Sequence, residues 1–375
     1  MHLTATRRTA IALALTAASA LTVQGLALPA AHASTPASDT PATSTVGSIE
    51  AGAARSLAAS LADPTWGAQV RTAALGSRQV DLGALAGRTA APAGLNAAVS
   101  GADRRIAAAK GLPSAAGSLL RLRLGAASMR GALAAGAEPL VAAAADDDAA
   151  ATVTAYDSAG RVHTLSSRQT PSRPVYVVDL DVTKAVSAGL AQVNKAFTKA
   201  GLSAPVAAKA DTAGFWTTRV DSVYLNDDEE PWILGDAEIF SIVSGFGFDG
   251  KVRVDTVDMP YLDNDHTTYY PNQILVNWSN YKYNLADVVM MEDDGDTNYA
   301  DLAKALADAL LTITDQGAYI PLVDAILAAI PSSWYTNDAD YVDSWYTLAR
   351  SSTGRLNGAR GNGWLSVSPY FVQQF

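Results

Sequence analysis

Apolar residues at Ile49, Ala53, Leu57 and Leu61 recur with a helical period that Asp63-Pro64 ends. A second short helix is predicted over Thr65–Leu75 and a third over Leu95–Leu112, the latter with Asp103, Arg104, Arg105 and Lys110 on its wet side; residues 76–93 between them have no period and read as loop. From Ala137 the period changes from 3.6 to 2. Leu140–Ala142, Thr152–Tyr156, Val162–Leu165 and Val175–Asp181 read as strands, the middle pair joined by the turn Asp157-Ser158-Ala159-Gly160. Thr183–Leu202 then reads as an amphipathic helix, with Val186, Leu190, Val193 and Phe197 along one face.

Beyond residue 204 the chain reads mostly as strands: Thr217–Leu225, Ala237–Ser244, Lys251–Val257, Ile274–Trp278, Leu285–Met291 and Trp364–Val372. One stretch breaks this pattern. Tyr299, Leu302, Leu306 and Leu310, then Ile320, Leu322, Val323, Ile326 and Ile330, describe two short helices joined at Asp315-Gln316-Gly317, whose apolar faces read as a satellite core. The predicted class is α+β and multidomain. An Ala-rich helical region (47–136) and a small α/β module (137–204) precede an antiparallel β-sandwich (205–375) that carries a helical insertion at 299–331.

Ahead of these elements, Arg7-Arg8, the apolar run Ile11–Ala30 and Ala31-His32-Ala33 have the basic, apolar, small-residue order of a secretory signal peptide, residues 1–33. A Ser/Thr/Pro/Ala-rich linker, 34–46, follows it. The expected product is a secreted, extracellular protein with no integral membrane segment after cleavage. With no cysteine its fold cannot rely on disulfides, and beyond the leader only His163 and His266 remain, which excludes a zinc site of several His or Cys ligands.

Charge sharpens the picture. Residues 205–375 carry 9 Lys and Arg against 25 Asp and Glu, a balance that argues against nucleic acid as a partner. The acids are clustered in three loops: Asp227, Asp228, Glu229 and Glu230 with Asp236 and Glu238; Glu292, Asp293, Asp294 and Asp296; and Asp338, Asp340 and Asp343. Strand alternation places such loops at one end of a sandwich, where crowded carboxylates repel one another and a hard cation relieves them. Asp227, Asp228, Glu230, Asp236, Glu292, Asp293, Asp294, Asp296, Asp338 and Asp340 are the expected ligands of Ca²⁺. An EF-hand is not the vehicle. Asp294, Asp296 and Asn298 match its first positions, but Tyr299 stands where Gly is required and Ala305 where Glu is required. In a generic way the loops resemble those of calcium-binding C2-like sandwiches.

The segments Leu225-Asn226-Asp227-Asp228-Glu229-Glu230-Pro231-Trp232, Tyr270-Pro271-Asn272-Gln273, Met291-Glu292-Asp293-Asp294-Gly295 and Pro331-Ser332-Ser333-Trp334, with Asp338 to Asp343, carry a closer likeness. Together they resemble an uncharacterised family of secreted bacterial proteins, the domain of unknown function numbered three-one-zero-three. The resemblance covers about residue 50 to the end and implies export and architecture, but no mechanism.

No catalytic constellation stands out. Neither histidine lies in a G-x-S-x-G context, His266 in Asp263-Asn264-Asp265-His266 being the better candidate base, and H-E-x-x-H is missing. Trp232, Tyr261, Tyr269, Tyr270, Trp278, Tyr281 and Tyr283 offer either a sugar-stacking platform or core filling. The leading expectation is a calcium-binding, non-enzymatic binding or structural module with a carbohydrate or protein ligand outside the cell. The alternative is an extracellular metal-dependent or carboxylate hydrolase acting on a polymer.

Overall fold

The computed structural model describes residues 45–88, 91–144, 150–203, 214–226, 238–264, 266–293, 297–330 and 341–373. Its first elements are α1 (Thr45–Ser60), α2 (Pro64–Gly76), β1 (Gln79–Asp81), α3 (Leu82–Ala86), α4 (Leu95–Ala109), β2 (Leu120–Leu124) and α5 (Arg130–Ala134). Next come β3 (Leu140–Ala143), β4 (Thr152–Tyr156), β5 (Val162–Ser166), β6 (Val175–Leu180) and α6 (Val182–Ala200). The acidic part supplies β7 (Gly214–Leu225), β8 (Ile239–Phe246), β9 (Val252–Asp258), β10 (Thr268–Tyr269), β11 (Gln273–Asn277) and β12 (Leu285–Glu292). It closes with α7 (Tyr299–Leu310), α8 (Val323–Ala329), β13 (Tyr341–Ala349), β14 (Gly354–Asn357) and β15 (Gly363–Gln373). The class is α+β.

Six strands form the first sheet, in the order β1-β2-β6-β3-β4-β5, with only the β3 and β6 pair parallel. The expected helical region therefore does more than pack helices. Its loop at 76–93 holds β1 and α3, and β2 comes from the same region, so the sheet is built across the boundary drawn at residue 137. β2 is the alternating run Leu-Arg-Leu-Arg-Leu. Leu120 and Leu122 enter the core, while on the opposite face Arg123 pairs with Asp179 and Arg121 pairs with Asp81 and Asp181.

The other two sheets have the orders β13-β12-β8-β9 and β10-β7-β15-β14, with β11 also pairing along β7. β8 is buried at every position, because both faces of its sheet are covered. Phe240, Ile242 and Phe246 of β8, with Val252 and Val254 of β9, join the core of α1, α4, α6, α7 and α8. Ile239 and Val243 join Val288, Met290, Val220, Val223, Leu365 and Val367 in a second core shared with the β7–β15 sheet. β15 alternates buried and half-buried along its first half, since its outer face meets water. The helices α7 and α8 are not a satellite. Leu302, Leu306, Leu310, Val323 and Ile326 belong to the largest core in the molecule, between α6 and the β8 sheet.

Candidate functional site

Register brings the flanks of the three acidic loops to one place. Ile239 pairs with Glu292 and Met291 with Tyr341, so β8 begins, β12 ends and β13 begins at the same end of one sheet. The Asp293 amide donates to the Glu238 carbonyl at 3.2 Å, extending that ladder by a residue. In the partner sheet Leu225 pairs with Gly363, and the Asn226 amide donates to the Asn362 carbonyl at 2.8 Å. Asp227, Asp228, Glu230, Asp236, Asp294, Asp296, Asp338 and Asp340 lie outside the described residues. Of the expected ligands, Glu292 and Asp293 are described. Among the described residues no group of three or more His, Cys, Asp or Glu side chains is placed to hold a metal ion.

Strand alternation sends Asp293 to the helix side of the sheet, in phase with Val289 and Met291, where the protein itself engages it. Its Oδ1 lies 3.0 Å from Lys110 Nζ, with both side chains fully buried, and its Oδ2 accepts from the Tyr299 hydroxyl at 2.8 Å. Burial and the Asp293 charge push the Tyr299 hydroxyl well above its ordinary pKa, so it donates as a neutral phenol. Lys110 is not on the wet side of α4. It is in phase with Ile106 and Asp103, both buried, and Asp103 receives the amides of Leu119 and Leu120. The end of α4 and the start of α7 share hydrogen-bonding groups, because Tyr299 N donates to the Lys110 carbonyl and Asn298 Nδ2 to that of Ala109. Gly111 permits the contact, since a Cβ there would stand 2.6 Å from Asn298 Oδ1 and 2.9 Å from Ala300 N.

Two more carboxylates share that face. Glu238 precedes β8 in phase with Phe240, and Asp258 ends β9 in phase with Val254. The Glu238 side chain accepts from Thr183 Oγ1 of α6 through one oxygen; its other oxygen, Oε2, is buried with no hydrogen-bond partner, as is Asp258 Oδ1. Burial raises the Glu238 carboxyl to about 8, with further contributions from the charges of Asp258, Asp293 and Asp181, and burial raises Asp258 as well. Glu238 is therefore protonated through most of the neutral range.

Asp343, the last acid of the third cluster, is a structural anchor. It is fully buried, with Oδ1 accepting from Arg360 N and Ser344 N and Oδ2 from Gly363 N at 2.9 Å. The turn wraps it so closely that a Cβ at Gly358 would lie 2.0 Å from Oδ2.

The outer side of β9 borders a cleft of about 680 Å³ lined by Asp258, Pro260, Tyr261, Tyr269, Tyr270, Pro271 and Gln273. Tyr261 Oη donates to Gln273 Oε1 at 2.6 Å, and Gln273 Nε2 donates to the Asp258 carbonyl at 2.7 Å. The same Asp258 thus borders the cleft and joins the buried acids.

A model of the family described as protein of unknown function (DUF3103) matches residues 54–375. The chain belongs to the DUF3103 family. No curated protein and no solved structure matches it.

In this DUF3103 chain the aromatics fall into two groups, one in the cores and one around the cleft. Trp278 and Tyr281 are core, Tyr283 packs against the larger core, Tyr261, Tyr269 and Tyr270 surround the cleft, and Trp232 lies outside the described residues. His266, the candidate base, faces Tyr224, with Nδ1 3.2 Å from its hydroxyl; His163 pairs with Asp157. Sequence reasoning overlooked Lys110, Asp258 and Thr183. Asp258 carried a signal, since it continues the buried period of Val252 and Val254; the partner of Lys110, 183 residues away, left none.

Proposed function

We propose that this DUF3103 protein is exported by its leader and acts as a calcium-dependent, non-enzymatic binding module. In this reading the two sheets that share the Val220–Val367 core pack as a sandwich, and the acidic loops at one end hold Ca²⁺. The observation that carries the reading is the convergence of Asn226, Glu238, Asp293 and Tyr341, the flanks of all three acidic segments, at one end of paired sheets. Asp227, Asp228, Glu230, Asp236, Glu292, Asp294, Asp296, Asp338 and Asp340 are the proposed ligand pool. Asp293 leaves that pool, because its side chain is buried and held by Lys110 and Tyr299, whereas Glu292, also buried, stays in it. A ligand bound only by the native state stabilises it by about 2.7 kcal/mol at a hundredfold excess over Kd. Thermal melts in millimolar CaCl₂ and in EGTA test the reading: a rise of several degrees with Ca²⁺ supports it, and superimposable melts end it.

A further inference from the structure

The Asp258–Gln273 cleft adjoins the end of β9 that pairs with the start of β8, and the chemistry of its described lining narrows what it accepts. No Lys or Arg appears among the described lining residues, so nothing there rewards an anionic ligand. Asp258, the one acid among the described lining residues, offers a backbone carbonyl to the Gln273 amide on this side, while its Oδ1 is buried. A cationic ligand therefore gains little. Pro260, Pro271 and three tyrosines supply apolar faces. Tyr261 and Tyr269 meet at 6.1 Å with their planes tilted by 49°, so the wall is a cradle and not a flat shelf.

The polar floor is fixed before any ligand arrives. Gln273 is held at both ends, by Tyr261 Oη and by the Asp258 carbonyl, which leaves one amide hydrogen and one carbonyl lone pair for a guest. Tyr269 Oη is likewise held, donating to Asp263 Oδ1 at 2.7 Å and accepting from Asn264 Nδ2 at 3.0 Å. Tyr270 is the exception. It is 72% exposed at the rim, on the Tyr270-Pro271-Asn272 turn where Asn272 adopts φ of 52°, so its ring is open to a guest entering the cleft. Preorganised amide groups beneath stacking rings match a guest with apolar C–H faces and hydroxyl edges.

We propose that this cleft is a binding site for a neutral carbohydrate, whose ring faces stack on Tyr270 and the Tyr261–Tyr269 cradle while its hydroxyls reach Gln273. A proline-rich peptide would accept the Gln273 amide hydrogen through a carbonyl but, lacking N–H groups at its prolines, would offer nothing to the amide oxygen, whereas a sugar hydroxyl serves both, so the observations favour the sugar. The assignment deepens the binding-module reading above and rests on it only for the class of protein, since it is carried by Tyr261, Tyr269, Tyr270 and Gln273 and by none of the proposed calcium ligands.

The test is calorimetric titration of the intact protein with neutral cello-, xylo-, laminari-, malto- and chito-oligosaccharides, each in CaCl₂ and in EGTA. Binding to at least one series is expected, with affinity reduced about tenfold or more by Tyr270→Ala and by Gln273→Ala, and unchanged by Trp216→Ala, an exposed aromatic in a different depression. Tyr270 is a rim residue, so its variant keeps the parent melt and near-ultraviolet spectrum. Absence of binding across the panel overturns the proposal, as does binding that Tyr270→Ala leaves intact, or binding of a polyproline peptide in place of every glycan. The calcium reading fails separately, through unshifted melts, and a glycan bound equally in EGTA leaves the cleft assignment standing without it.

Discussion

Lys110 and Asp293, 183 residues apart in sequence, meet at 3.0 Å with neither side chain exposed to solvent, and that contact fastens the end of α4 to the acidic end of the β8 sheet. Breaking one half of such a pair leaves an uncompensated buried charge, which costs about 3–5 kcal/mol. Lys110→Met is therefore expected to destabilise the protein by that amount in urea denaturation. The double variant Lys110→Met/Asp293→Leu should recover more than half of the loss. A single variant within about 0.5 kcal/mol of the parent contradicts the pairing.

Glu238 makes stability depend on pH in a defined direction. Its folded carboxyl titrates near 8 against an ordinary value of 4.5, so between those limits the native state holds a proton that the unfolded chain has released. Stability then falls as pH rises from about 5 to 8 and levels off above it, by about 1.4 kcal/mol for each unit fully traversed. Asp258, also raised, acts in the same sense. Melts recorded in EGTA across this range should show the decline, and Glu238→Gln should flatten it. An unchanged slope in the variant assigns the effect elsewhere.

Gly189 of α6 lies under the Tyr299 ring, where a Cβ would fall 2.3 Å from Cδ2. An alanine inside a helix ordinarily gains about 1 kcal/mol over glycine. Here overpacking reverses the sign, and Gly189→Ala is expected to cost roughly 1–3 kcal/mol. Tyr299→Leu in the same background relieves the clash but forfeits the Asp293 hydrogen bond, so the double variant should cost less than the sum of the two singles. Additive losses in a double-mutant cycle would place the ring and the glycine apart.

If the acidic loops share an ion, neutralising one member removes most of what the ion contributes. Asp228→Asn, Asp236→Asn, Asp294→Asn and Asp338→Asn should each abolish most of the calcium-induced rise in Tm, with double variants adding little. Asp146→Asn and Asp147→Asn, in an acidic run outside the three clusters, should leave it unchanged. In EGTA the four singles should melt slightly above the parent, because each removes one of several repelling charges. Four parental calcium responses would show that the loops do not cooperate.

Much of the fold was legible because period and burial agree. The runs at 140–142, 152–156, 162–165 and 175–181, the amphipathic face of α6 and the two helices after Tyr299 all form where their apolar spacing predicts. β2, the alternation Leu120-Arg121-Leu122-Arg123-Leu124, was missed inside the region expected to be helical, and its cross-strand partners Asp179 and Asp181 reveal it. β13 escapes detection because Asp343 and Ser344 interrupt its apolar run, and both are buried for reasons that only the 358–363 turn and Tyr341 explain. The site was legible in part. Acid clustering singled out Asp293, but no local pattern shows that Lys110, 183 residues away, holds it.

Thr217 and Tyr370, 153 residues apart, are hydrogen-bonded neighbours in the β7–β15 ribbon, the longest pairing in the molecule. Loop-closure entropy delays such a pairing relative to the local β3–β4–β5 hairpins. The timing matters for a chain that its leader would route through a membrane. Until β15 docks, the inner face of the β8 sheet, with Ile239, Val243, Val288 and Met290, lacks the Leu365 and Val367 side chains that share its core. Under the proposed export, the second core is expected to close last, once β15 has emerged on the far side.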